Sequence, residues 1–169
     1  TFRSSALVTK TAKKARYQNI NIGSSQTQFE MLKKLELSDN DFLRLKQYSC
    51  EKQIDFMSTA FDSSSLDFLL KDVKVNKLKI ASGEITNGPL LLDHAATGLD
   101  IILSTGMSTI NEIRDALSVI AFGFLCKKEI KAKPNRREFA RVFRSVEGQS
   151  ILRKKVALLH CTSEYPAPD

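Results

Sequence analysis

Four short apolar runs recur along the chain: "IDFMST" (54–59), "LKIASG" (78–83), "IILSTG" (101–106) and "VALLHCTS" (156–163). Each closes on small hydroxyl-bearing or glycine residues. Near-continuous apolar runs of this length suit parallel strands covered on both faces. Their ends, at Ser58, Ser82, Ser104 and Thr162, lie 24, 22 and 58 residues apart. Spacings in the low twenties match compact strand–loop–helix units. The last gap has room for a further helical insertion.

Between the runs the pattern turns helical. "SDNDFLRLKQYSCEKQ" opens on Ser38, with Asp41 three residues on as a capping partner, and Phe42, Leu43, Leu45 and Tyr48 as an expected buried side. "SSSLDFLLKDV" predicts a serine-capped helix with Leu66, Phe68, Leu69 and Leu70 as its apolar content. "NGPLLLDHAATG" has Pro89 near its start and Gly98 at its end, the expected asymmetry of a helix. Thr109 and Glu112 stand at capping-box spacing before Ile110, Ile113, Leu117 and Ile120. "NRREFARVFRSVEGQSILRKK" predicts more helix, broken near Gly148, and "FEMLKKLEL" (29–37) a short one. Phe2 to Thr27 shows no sustained periodicity, and a loop of that length is often functional.

Strand–helix alternation implies an α/β protein with parallel strands. A doubly wound sheet and a (β/α)8 barrel both remain open on pattern alone. A barrel needs about 250 residues, so the 169 residues here would be an incomplete piece of one.

Composition is ordinary for a globular chain, at 42% hydrophobic and 27% charged residues. No apolar run approaches the roughly 20 residues needed to cross a membrane. Cys50, Cys126 and Cys161 show no CxxC spacing and read as reduced thiols of a cytoplasmic protein. With His94 and His160 the only histidines, no metal site built wholly from this chain is expected. Net charge is +7, yet residues 127–155 carry eleven Lys/Arg against three Glu, a net of +8, which leaves −1 for the rest. This block reads as a solvated helical insertion. Its rival reading is a non-catalytic module that binds an anion or nucleic acid. Phe139 and Phe143, four apart, suit one apolar helix face better than base stacking.

In either architecture, ligands gather at the carboxyl ends of the strands. Those ends are Ser58-Thr59, Ser82-Gly83-Glu84, Ser104-Thr105-Gly106 and Thr162-Ser163-Glu164-Tyr165. Hydroxyls, glycine N–H groups at Gly83 and Gly106, and the positive charge of Lys79 together suit a phosphate or carboxylate. Taken singly, each hydroxyl reads as a helix cap before it reads as a ligand. Lys79 is the sharper signal, because an interior lysine without a partner carries a desolvation penalty. Glu84 would either pair with Lys79 or bond a substrate hydroxyl. Tyr165, ahead of Pro166 and Pro168, would line a pocket or stiffen a loop. His94 reads as structural or surface, and His160 and Cys161 as packing residues.

"KIASGEITNGPLL", "IILSTGMST" and "LLHCTSEYPAP" resemble signature segments of the sialic acid synthases, which include N-acetylneuraminate, legionaminic acid and pseudaminic acid synthases. "ALVTKTAKKARYQ" and "TQFEMLKKLELS" are similar to that family too, so the resemblance covers nearly the whole chain. It implies a (β/α)8 TIM barrel, with about strands 3 to 6 here, followed by a small antifreeze-like domain that this chain lacks. It implies a transferase that condenses phosphoenolpyruvate with an N-acylated hexosamine such as N-acetylmannosamine and releases phosphate. Manganese or magnesium would activate the sugar aldehyde. Matched by motif, Lys79, Ser82 and Ser104 would bind phosphoenolpyruvate. Thr59 (in "FMSTAF", where the family often has Pro for Ala60) and Ser163 (where some members have Asn) would join them. Glu84 and Tyr165 would meet the sugar, with Lys79 and Glu84 as the catalytic pair. The first strand with its acidic residue, the Lys and Gln of the second, and the metal-binding histidines are not here, and neither His94 nor His160 matches them. The piece alone is therefore expected to be inactive. A homodimer is expected of the complete protein, and neither a membrane nor nucleic acid as its partner.

Overall fold

The computed structural model describes residues 7–14, 18–20, 27–126 and 134–162, with the Cys126 side chain left aside. The chain divides into two compact units, Thr1–Phe56 with Thr162–Asp169, and Met57–Cys161. Ser163 and Tyr165 lie outside the described residues, as do residues 127–133 of the basic block.

The described residues of the first unit include the helices α1 (Gln28–Leu35) and α2 (Asp39–Glu51). Both begin on full capping boxes. Thr27 Oγ accepts from the Glu30 N–H at 3.2 Å while Glu30 accepts from the Thr27 N–H at 2.9 Å, and Ser38 and Asp41 repeat the exchange. The side of α2 expected to be buried is not. Leu43, Leu45 and Tyr48 are exposed, and Phe42 is half-buried, edge-on to Phe56 with ring centroids 6.5 Å apart. At 100° per residue these four positions spread over roughly 220° of arc, far wider than one core-facing stripe.

Among its described residues the second unit has a three-stranded parallel sheet in the order β1 (Lys77–Ile80), β2 (Asp100–Ser104), β3 (Val156–Leu159). Lys79 stands beside Ile102, which stands beside Ala157; Ser104 pairs with Leu159. Side chains alternate across a strand. Leu78, Ile80, Ile101 and Leu103, all buried, therefore form the covered face, and Lys79, Ile102 and Ser104 share the other. The run 54–59 does not form the strand its apolar content predicts. It contributes one parallel bridge, Thr59 to Lys79, and Ile54 and Met57 are exposed, so the segment lacks two covered faces. Leu158 and Leu159 are exposed as well, unlike their counterparts on β1 and β2.

Helix α3 (Ser63–Phe68) is capped by Asp62, not by a serine. The Asp62 carboxylate takes the Ser65 N–H at 2.7 Å and the hydroxyls of Ser64 and Ser65. A carboxylate accepts several such bonds at once and suits the positive end of a helix. The chain then widens into a π turn, Leu69–Val73, and leaves it through Lys74 at φ 56°. Helix α4 (Gly88–Ala96) starts on the Asn87 cap, followed by Pro89, and α5 (Ile110–Cys126) on the reciprocal Thr109–Glu112 box. The two pack against each other and bury Leu91, Ala95, Ile120, Ala121 and Phe122.

The described part of the basic block forms α6 (Arg136–Arg144) and α7 (Val146–Lys155). Phe139 docks edge-on to Phe122 at 5.0 Å between centroids, and Val142 and Leu152 are buried. The break between these helices falls at Ser145, not Gly148. Ser145 is extended (φ −74°, ψ 157°), its hydroxyl donates to the Val142 carbonyl, and it accepts the Gly148 N–H. Gly148 serves another purpose: a Cβ there would sit 1.9 Å from the Val142 carbonyl oxygen. At the α7–β3 junction, Lys155 pairs with Asp100 at the start of β2, at 2.8 Å. Among the described residues no helix is long and apolar enough to cross a membrane.

Candidate functional site

The carboxyl ends of the three strands bring together Lys79, Ser82, Ser104 and Gly106, with Thr59 bridged beside Lys79. Lys79 is half-buried on the face opposite the core, and its ammonium donates to the Ile80 carbonyl at 2.9 Å. Among the described residues no carboxylate forms an ion pair with it. Burial pushes its pKa below the ordinary lysine value, and the nearby Cys161 sulfur opposes that shift. A cation held by one neutral carbonyl keeps most of its capacity for an arriving anion.

Glu84, in the 3-10 turn Ser82–Glu84, does not pair with Lys79. Its carboxylate accepts from the Asn87 amide at 2.8 Å, which ties the turn to the cap of α4. Ser82 is half-buried, and its hydroxyl oxygen lies 2.6 Å from where a Cβ on Gly106 would stand. Ser104 is buried, and its hydroxyl helps lower the pKa of the nearby Cys161 thiol.

The residue that sequence reasoning misplaced is Cys161. Its sulfur accepts the Gly106 N–H at 3.3 Å. Burial pushes the thiol up, but the Ser104 hydroxyl, the Gly106 and Thr105 N–H groups and the Lys79 charge outweigh it, so its pKa falls below the ordinary thiol value. The sequence did hold a signal: Cys161 lies two residues past Leu159, and in parallel register that is the face of Ser104. The Gly106 N–H, expected to meet a ligand, is engaged by this sulfur, whereas Gly83 has open space where a side chain would be. Thr105 closes the same corner by donating from N and from Oγ1 to the Leu159 carbonyl at 3.0 and 3.1 Å.

The histidines stand apart from this cluster. His160 is exposed rather than packed. His94 is fully buried, its Nδ1 2.8 Å from the Leu90 carbonyl, with no partner at Nε2 among the described residues; burial lowers its pKa. A carbonyl only accepts, so Nδ1 carries the proton and the ring is neutral. No three His, Cys, Asp or Glu side chains converge among the described residues. With Glu84 bonded to Asn87, the described residues at the strand ends do not fit a divalent cation. Part of the basic block is also neutralised locally, Arg141 by Glu138 at 2.8 Å and Lys155 by Asp100.

The fold and these residues have counterparts among known proteins. The chain is 42% identical, over 99% of its length, to the N,N'-diacetyllegionaminic acid synthase of Legionella pneumophila, of which it covers 40%. It is 37% identical, again over 99% of its length, to the synthase of the same name from Campylobacter jejuni, covering 42% of that protein. Its structure matches that of the N-acetylneuraminic acid synthetase of Leptospira borgpetersenii with a TM-score of 0.61 and 30% identity, over 90% of this chain and 43% of the other. The chain thus spans about two fifths of the length of the curated relatives it matches. A family model described as the NeuB family matches residues 1–169, and by that match along its whole length the chain belongs to the NeuB family.

Proposed function

We propose that a longer protein carrying this chain condenses phosphoenolpyruvate with an N-acylated hexosamine and releases phosphate, in the biosynthesis of sialic acid-type sugars. In this reading the chain is a part of a (β/α)8 barrel, and β1 to β3 supply its phosphate-binding strand ends. The observation that carries it is Lys79: a half-buried ammonium, bonded among the described residues to the Ile80 carbonyl, on the same sheet face as Ser104. The names of the relatives supply the reaction class. The two synthases named for diacetyllegionaminic acid favour, as a second reading, a legionaminic-type product with an N,N'-diacetylated sugar as acceptor.

In the reaction, C3 of phosphoenolpyruvate attacks the aldehyde carbon of the open-chain sugar, and the aldehyde oxygen takes up a proton. Positive charge develops at C2, water adds there, and the tetrahedral adduct expels phosphate as the C2–oxygen bond breaks. Lys79 and the hydroxyls of Thr59, Ser82 and Ser104 hold the phosphate, through donors set before substrate arrives; a contact by Ser163 rests on its sequence motif alone. Glu84, oriented by Asn87, accepts from a sugar hydroxyl; a sugar contact by Tyr165 rests on its sequence motif alone. A divalent metal would polarise the aldehyde. The described residues do not fit one. The complete enzyme is cytoplasmic and homodimeric in this reading.

The test is phosphate release by the complete protein from phosphoenolpyruvate with N-acetylmannosamine or its diacetylated analogue. Turnover is expected with one of these sugars and not without sugar. Tight salt-sensitive binding of nucleic acid, with no phosphate release, would replace this reading with the rival one.

A further inference from the structure

Gly106 follows the end of β2 and touches the ends of both neighbouring strands. Its φ is +49°, a left-handed conformation that L residues avoid. A Cβ there would lie 2.6 Å from Ser82 Oγ and 2.7 Å from Ser82 Cβ, closer than real contacts allow. On the other side its N–H is held by Cys161 Sγ at 3.3 Å, and the Ser104 hydroxyl is near enough to that sulfur to lower its pKa. Ser82 and Ser104 are the two hydroxyls read above as phosphate donors. One glycine thus sets how near the first comes to β2, and its sulfur partner lies beside the second.

We propose that Gly106 is a positioning residue for the phosphate-binding strand ends: its missing side chain seats Ser82 against β2, and its N–H holds Cys161 where that sulfur fixes Ser104. The proposal rests on the phosphoenolpyruvate reading and deepens it. Gly106 touches no substrate. It acts through the hydroxyls it spaces, and a displacement of under 1 Å at such groups costs catalysis heavily. The atoms it would strike belong to a side chain that ends at its Oγ, so trimming Ser82 removes the collision altogether.

The experiment is a double-mutant cycle in the complete protein, read by the KM values of both substrates. Gly106→Ala is expected to raise the KM for phosphoenolpyruvate tenfold or more and the sugar KM less than threefold. In a Ser82→Gly background the same change should raise the phosphoenolpyruvate KM less than threefold, because Oγ and Cβ of Ser82 are gone. Backbone strain is present in both backgrounds and cancels in the cycle. If Gly106→Ala does not fold, Cys161 carries the test. Cys161→Ala should raise the phosphoenolpyruvate KM several-fold and Cys161→Ser, which keeps an acceptor, should return it to within twofold. Equal penalties in both Ser82 backgrounds, equal effects on both substrates, or a Cys161→Ala variant with wild-type KM would overturn the proposal. Wild-type protein that releases no phosphate would sink the underlying reading instead, an outcome seen before any variant is made.

Discussion

Two corners of the second unit are built around a glycine with no room for a side chain, and they differ in what fills the space. At Gly148 the neighbour is backbone, the Val142 carbonyl oxygen, 1.9 Å from a would-be Cβ. At Gly106 it is the Ser82 side chain. A carbonyl locked at the end of α6 cannot yield without moving the helix. A serine can yield, and then its hydroxyl points elsewhere. The first glycine therefore serves the packing of α6 on α7, and the second serves the placement of polar groups at the strand ends.

The strongest way to sharpen this contrast is Gly148→Ala. We expect it to destabilise the protein by about 3 kcal/mol or more, the scale of overpacking against backbone that cannot shift. The drop in urea midpoint reads it, and a variant within about 0.5 kcal/mol of wild type would show the corner to be pliable.

Next comes Lys79→Ala at the strand ends. A charge-assisted bond is worth about 1.5–3 kcal/mol, so the KM for phosphoenolpyruvate should rise roughly ten- to a hundred-fold. The melting temperature should stay level or rise, since a half-buried cation is removed. Glu84→Ala should show the reverse bias and hurt the sugar more. A large loss of stability in Lys79→Ala with unchanged kinetics would make this lysine part of the fold, like Gly148.

Smaller still is Ser145→Ala. It deletes the hydroxyl that takes the Gly148 N–H and bonds the Val142 carbonyl, and should cost about 1 kcal/mol. Ser82→Ala, a similar deletion at the other corner, should leave the urea midpoint nearly unchanged.

The smallest expected effect is in pH. Lys79 is pushed below its ordinary pKa and Cys161 below its own. In both cases the folded chain releases its proton before the unfolded chain does. The unfolded state then binds more protons between each folded pKa and the ordinary values of 10.5 and 9.0, so stability rises with pH across those windows. It is lost again as pH falls through the folded values. Alkylation of Cys161 by iodoacetamide, followed by peptide mass spectrometry, reads the same shift. Its inflection should move to higher pH in Lys79→Ala, because the cation that helps the thiolate is gone. An unmoved inflection would place the lysine too far from the sulfur to matter.

What the sequence made legible follows from how local each signal is. Ser38 with Asp41 and Thr109 with Glu112 announce helix starts because a capping box closes within four residues. The parallel strands and the placement of Lys79, Ser82 and Ser104 at their ends were legible because apolar runs and their polar ends are local too. The burial of α2 was not, since Leu43 and Leu45 look apolar whether or not anything covers them. The same holds for residues 54–59, where apolar content promised a strand and only Thr59 pairs. The helix break was placed at Gly148 because glycine ends helices, yet the two helices meet at an extended serine. Cys161 was misplaced because its partners are 55 residues away, and only the register of β3 on β2 brings them together.

That distance has a kinetic consequence. β1 and β2 close over the short span holding α4, while β3 must wait for α5, α6 and α7 before Lys155 reaches Asp100 across 55 residues. The longer closure costs only about 0.8 kcal/mol more by chain statistics, but it requires three helices to be in place first. The β2–β3 edge should therefore zip last. Pulse-labelled hydrogen exchange should show it as late protection of the Thr105 and Gly106 N–H groups relative to those of β1. The corner made by Cys161 and Gly106 then exists only in a finished sheet, and a half-folded chain has no competent place for an anion to be captured.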